Sequence, residues 1–166
     1  MFTPACIWDR RIEMRRIAFA SGLLVLLLKA CGGPPEPRPE ILGVRLGVGK
    51  EEAHRRLREL GQLEKEERKQ QEVWAINVDA PYSHLIVAYN KENPTVRFVT
   101  AVAKDDGPRV RYADVIDTGK AQQTRAGNST TYRMEVPARG GHPAYTVKVI
   151  GNDPGRLKYY SVEINE

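Results

Sequence analysis

Six short segments of this chain alternate apolar and polar residues one by one, a pattern that fits half-buried β-strands and little else. Val73–Asp79 sets Trp74, Ile76 and Val78 against Ala75 and Asn77. His84–Asn90 alternates on Leu85, Val87 and Tyr89, and Val96–Lys104 on Val96, Phe98, Thr100 and Val102. The breaks between them, DAPYS and NKENPT, carry the Asp, Asn and Pro that turns use. A second set follows: Thr131–Val136 on Tyr132, Met134 and Val136, Ala144–Ile150 on Tyr145, Val147 and Val149, and Leu157–Ile164 on Tyr160, Val162 and Ile164. Its turns are PARGGHP and GNDPGR. Period-two patterning with one polar side predicts antiparallel sheet covered on one face only.

Helical signal is confined to one place. In Ile41–Gly61, Gly49 stands at the N-cap, Glu51 and Glu52 fall in the first turn, and Gly61 supplies the stop. Ala53, Leu57 and Leu60 form a narrow apolar stripe, while Arg55, Arg56, Arg58 and Glu59 are expected to face water. Gln62–Gln71 reads as a charge-dense connector or an exposed continuation of the helix. Val110–Val115 reads as a short strand or the lead into a weak helix over Ala113–Gln123, and Thr124–Ser129 as loop. The expected class is therefore α+β: a short helix, or two, packed on an antiparallel sheet of about six strands arranged as two three-strand meanders. The domain would occupy 41–166, with halves at 41–104 and 105–166. Whether the second half duplicates the first, and whether the meanders share one sheet, stays open at this level.

The amino-terminal segment has a different character. Arg15 and Arg16 precede an apolar run of 12 residues, Ile17–Leu28, and small Ala30 precedes Cys31. This is the three-part layout of a secretory signal, and the run is shorter than the ~20 residues that span a bilayer. Residues 1–13 fit poorly as the signal's basic end because Asp9 and Glu13 dilute the charge, so translation is expected to begin at Met14 and Cys6 to have no role. Leu28, Ala30 and Cys31 resemble the lipobox of bacterial lipoproteins, with Lys29 an unusual residue at the position between. The resemblance implies a signal peptide over 1–30, cleavage between Ala30 and Cys31, and a diacylglyceryl group on the Cys31 sulfur, with palmitate-type acylation of the new amino group. Two or more acyl chains hold far better than one, at ~0.8 kcal/mol per buried CH₂. The alternatives are an uncleaved amino-terminal anchor or a buried core helix. Residues 31–40 are Pro- and Gly-rich and read as a tether, either an extended polyproline spacer or a plain linker.

Charge and cysteine content narrow the function. The whole chain carries 26 basic and 21 acidic residues. Residues 1–30 hold Arg10, Arg11, Arg15, Arg16 and Lys29 against Asp9 and Glu13, so the remainder is close to neutral, at 21 against 19. Without a basic face or a recognisable module, a nucleic-acid partner is not expected. Cys31 is the single cysteine after residue 30, so the fold must be held by its core and not by an internal disulfide.

Chemistry-bearing motifs are sparse. His54, His84 and His142 are the whole histidine inventory and none has a partner at metal spacing. Asp105 and Asp106 are adjacent in a turn, and Gly140-Gly141 and Gly151 suit hairpins. Asn128-Ser129-Thr130 matches a glycosylation sequon by chance. No catalytic, cofactor or metal site is expected, and the chain does not read as an enzyme. Seven tyrosines, at 82, 89, 112, 132, 145, 159 and 160, lie in or beside the strands. They serve either as core with the hydroxyl at the rim or as an aromatic surface for a protein partner. Tyr159 and Tyr160 must point to opposite faces, and Arg133 and Lys148 would line a polar one.

Gly43, Leu46, Gly47, Lys50, Glu51, Glu52, Leu60, Gly61 and Trp74, in this order, resemble the BamE-like (SmpA/OmlA) lipoproteins and, more broadly, the β-lactamase-inhibitor-like fold. That resemblance implies a non-enzymatic, lipid-anchored cell-envelope protein that binds another protein or serves assembly. Its expected place is the periplasmic face of the outer membrane, which Gly32 after the cysteine also suggests. The partners expected are thus the membrane, through the lipid, and a protein, with the oligomeric state undetermined. A second function is an inhibitor-like module that blocks a partner enzyme by inserting an exposed hairpin such as PARGGHP.

Overall fold

The computed structural model describes residues 36–67, 70–152 and 155–165. The expected signal peptide, Ala30, Cys31 and the first part of the tether lie outside the described residues. Residues 34–166 form one compact unit.

The helix forms where expected. Helix α1, Lys50–Leu60, starts after extended Gly49, carries Glu51 and Glu52 in its first turn, and buries Ala53, Leu57 and Leu60. Ahead of it a small ribbon pairs β1, Glu40–Ile41, with β2, Val44–Arg45, through a turn at Leu42 and Gly43. Arg56 does not simply face water: its Nε donates to the Leu42 carbonyl at 2.8 Å and clamps the ribbon to the helix.

The expected fold class needs correction. The chain is predominantly β, with one α-helix among the described residues and a single antiparallel sheet of eight strands. These are β3 Gly61–Glu67, β4 Gln71–Ile76, β5 Tyr82–Tyr89, β6 Val96–Ala103, β7 Gln122–Ala126, β8 Ser129–Val136, β9 Tyr145–Asn152 and β10 Arg156–Ile164. Two of them, β3 and β7, fall in the segments read as connector or helix and as loop. Both are edge strands, and edges have no covered face to impose an apolar period and favour charge instead. Glu64, Lys65 and Glu66 on β3, and all five residues of β7, are exposed. The weak helix over Ala113–Gln123 does not form; Tyr112–Asp114 makes one 3-10 turn, closed by Asp114 accepting from the Arg111 amide at 2.9 Å.

The strand order is β3-β4-β5-β6-β10-β9-β8-β7, so the two meanders join edge to edge in one sheet. The seam pairs β6 with β10, with Thr100 opposite Ser161 and their hydroxyls 2.8 Å apart. One face carries the core. Over β4–β6 it is covered by α1 and the ribbon, with Leu57, Leu85, Val87 and Val99 fully buried. Over β8–β10 it is covered by 104–121, where Tyr112 and Ile116 pack on Val147, Val149 and Leu157. The described part of the expected tether, Glu36–Pro39, also lies on this face: the Tyr145 hydroxyl donates to the Pro37 carbonyl at 2.7 Å, and the Leu46 amide to Pro39 at 2.9 Å.

Candidate functional site

Strand parity places one charged residue in the core. On β4, Glu72, Trp74 and Ile76 share the covered side, and the Glu72 side chain is 1% exposed. A carboxylate cannot stay there without donors. Four converge on it, two from successive turns of α1 at i and i+4, one from its own strand and one from β5. Lys50 Nζ donates at 2.8 Å, His54 Nε2 lies 2.8 and 3.0 Å from the two oxygens, Trp74 Nε1–H donates at 3.0 Å, and the Tyr89 hydroxyl at 3.1 Å. Because an ionised carboxylate only accepts, the proton on His54 sits at Nε2. The His54 ring packs edge-on against Trp74 and Tyr89, with centroids 5.5 and 6.1 Å away, and Lys50 Nζ lies 5.1 Å from the centre of the Tyr89 ring.

Burial alone would push the Glu72 carboxyl up. The hydrogen bonds from Lys50, Trp74 and His54 outweigh it and hold the group below its usual range. The Glu72 hydrogen bond pushes Lys50 up, against the opposing effect of burial. Burial, followed by the nearby Glu72 charge, pushes Tyr89 far up. A carboxylate held low, with both oxygens already accepting, is a poor proton acceptor. The cluster therefore acts as a pin between α1 and the sheet. Its pH signature has a definite sign. The Glu72 contribution is present above the ordinary glutamate range and is lost as pH falls through the depressed folded value. Those of Lys50 and Tyr89 are full below their ordinary values, 10.5 and 10.0, and are lost as pH rises through the window above them. Urea unfolding between pH 3 and 11 is expected to give a plateau from about pH 5 to 10 with both limbs falling, and Glu72→Gln is expected to flatten the acid limb.

The histidines separate once placed. His54 belongs to the buried cluster, a role that its sequence position alone does not suggest. His84 sits on the other face, with Nε2 3.1 Å from Glu64 and Nδ1 3.0 Å from the Ser83 hydroxyl. His142 lies at the tip of the β8–β9 loop, where its amide donates to the Arg139 carbonyl at 2.9 Å. Gly140 and Gly141 between them both take positive φ, 56° and 84°, so the PARGGHP tip is a tight exposed turn. Among the described residues no three His, Cys, Asp or Glu side chains come together as a metal-binding set.

The second feature is the uncovered face of the sheet. Cross-strand register aligns its residues in rows that run from β4 to β8. One row is Val73, Ile86, Thr100, Ser161, Lys148 and Arg133; the next is Ala75, His84, Val102, Tyr159, Ile150 and Thr131. Val73, Ile86, Val102 and Ile150 are half-buried by their neighbours, and Tyr159 is 41% exposed. Tyr160, one residue on, points into the core as expected. Toward β8 the rows floor an open trough of about 690 Å³ lined by Phe98, Thr100, Ser161, Lys148, Arg133 and Glu163. Apolar groups thus occupy the β4–β6 side and, through Tyr159 and Ile150, the β9–β10 pair, with charges of both signs beyond them.

No family model matches the chain, and no curated protein or solved structure is found to be similar to it.

Proposed function

We propose that this protein is a non-enzymatic protein-binding module, held at the cell envelope by lipid on Cys31, that engages its partner with the uncovered face of the eight-stranded sheet. The observation that carries the reading is the asymmetry of the sheet. Its core face is covered over β4–β6 and β8–β10, whereas the opposite face leaves half-buried aliphatic side chains, Phe98 and Tyr159 open beside a rim of Arg133, Lys148, Glu135 and Glu163. An apolar centre with aromatic anchors and a charged rim is the composition of a protein interface. The lipobox resemblance supplies the membrane half of the proposal, and the BamE-like resemblance supplies the assembly role and the outer-membrane location.

A second reading keeps one observation of its own. The Arg139–His142 turn is exposed and fixed by two left-handed glycines, the shape an inhibitor-like module would insert into a partner's cleft.

Two substitutions test the parts separately. Cys31→Ala is expected to abolish fatty-acid labelling and shift the protein out of the membrane fraction; continued membrane retention of an uncut chain would remove the lipid anchor from the account. Ser161→Arg, at the seam of the open face, is expected to weaken partner association by more than about 10-fold, since a hot-spot contact contributes ~2 kcal/mol or more, while the lost Thr100 hydroxyl contact lowers folding stability by only about 1 kcal/mol. Unaltered association would place the partner elsewhere.

A further inference from the structure

The sheet's two edges are built differently. Edge strand β3 carries Glu64, Lys65 and Glu66 and a bulge between Leu63 and Lys65, devices that discourage pairing with another chain. Edge strand β7, Gln122-Gln123-Thr124-Arg125-Ala126, has fewer of them: no bulge, no proline, a single charge and all five residues exposed. Its far side has no neighbouring strand among the described residues.

We propose that β7 pairs antiparallel with β7 of a second copy of this chain, joining two eight-stranded sheets about a two-fold axis at Thr124. The register follows from the hairpin. A two-residue turn, Gly127-Asn128, makes Ala126 and Ser129 a hydrogen-bonded pair, and the ladder alternates from there. Gln123 and Arg125 consequently direct their N–H and C=O groups away from β8, toward the outer side of the strand. Centred on Thr124, the pair sets Gln123 opposite Arg125 of the second copy, each exchanging two main-chain hydrogen bonds. Gln122 falls opposite Ala126, and Thr124 opposite Thr124. No like charges stand directly opposite, the two Arg125 side chains being diagonal neighbours, and Thr–Thr is a favoured cross-strand pair. A self-complementary strand of this kind fits a closed two-fold contact.

The axis is perpendicular to the sheet at β7, so both copies present the same face in the same direction. Glu36–Pro39 lies on the core face near β8 and β9, against Met134, Val136 and Tyr145. Cys31 is five residues ahead of Glu36, a reach of at most ~18 Å at ~3.6 Å per residue. Each Cys31 then lies within that reach of Glu36 in its own copy, so one bilayer can hold both. This placement rests on the lipid-anchored reading; the edge pairing itself does not.

The test uses the full chain in membranes, in a Cys6→Ser background. Thr124→Cys puts two thiols across a non-hydrogen-bonded pair, where Cα atoms lie ~4.5 Å apart, within disulfide range. Under mild oxidation it is expected to form a covalent dimer about 10-fold faster than Gln122→Cys, whose two copies lie far from each other in this register. Gln123→Pro removes an outward donor while sparing the β8 ladder, so it is expected to convert the dimer to monomer by light scattering in detergent with an unchanged circular-dichroism spectrum. Equal crosslinking of both cysteine variants, or a dimer that survives Gln123→Pro, overturns the proposal. Adding Cys31→Ala to the Thr124→Cys variant separates the two readings. Crosslinking that persists without membrane attachment supports edge pairing alone, and crosslinking that disappears with the lipid assigns the association to the anchor and overturns the pairing.

Discussion

Glu72→Ala is expected to cost about 3–5 kcal/mol of folding stability, the largest loss available from a single polar side chain here. The carboxylate is the shared acceptor for Lys50, His54, Trp74 and Tyr89, and its removal leaves the Trp74 and Tyr89 donors buried without a partner. Glu72→Gln is expected to rescue little, with a loss of ~2 kcal/mol or more. The amide has the right shape, but its nitrogen is a donor placed among donors. Urea unfolding checks both, the midpoint shifting at constant slope. Removing the opposing charge as well, in Lys50→Met/Glu72→Gln, is expected to recover part of the loss because an unpaired cation no longer faces the site. Strict additivity of the two single changes would contradict a coupled cluster.

Gly151→Ala is expected to be as damaging for a purely steric reason. A Cβ at this position would overlap the Arg156 carbonyl oxygen and lie 2.5 Å from the Tyr112 hydroxyl. Gly151 is the cross-strand partner of both Leu157 and Thr130, in the tight β9–β10 hairpin beneath the 3-10 turn. The obstacle on one side is backbone, which cannot swing away, so the cost is expected to reach ~3 kcal/mol or more. Gly61→Ala carries the same expectation, since its Cβ would overlap the Ala75 carbonyl oxygen where α1 passes into β3 without a loop. Gly49→Ala is the control: φ is −66° and no heavy atom lies within 4 Å, so a loss within about 1 kcal/mol is expected. Thermal unfolding of the three variants ranks them, and near-equal midpoints would show that the strands can part to admit a methyl group.

These residues also show how far the sequence can be read. Strands β4, β5, β6, β8, β9 and β10 announce themselves because each buries one face, and burial writes an apolar residue at every second place. Strands β3 and β7 bury neither face fully, so GQLEKEE and QQTRA carry no period, and the expected six-stranded α+β fold falls short of the eight-stranded sheet. Glu72 is legible only through parity: it lies two residues before Trp74 and so shares its side. A charged residue in that slot ordinarily marks a strand's end, and its donors on α1 and β5 come from 17 to 22 residues away in sequence, which no local pattern connects. The open face is more accessible. Alternation alone puts Tyr159 opposite Tyr160, and it sets Arg133 and Lys148 on the polar side, where they lie as direct cross-strand neighbours.

The most direct test of the open face as the partner-binding surface is position-dependent photocrosslinking in native membranes. A photoreactive residue is placed in turn at Ser161 on the open face, at Ala138 in the PARGGHP loop, and at exposed Glu92 in the β5–β6 turn, away from the β7 edge. The expected result is a discrete adduct from Ser161, reduced when Tyr159→Glu is introduced on the same face and absent from Glu92. An adduct from Ala138 with none from Ser161 would contradict the account and transfer the function to the inserted hairpin.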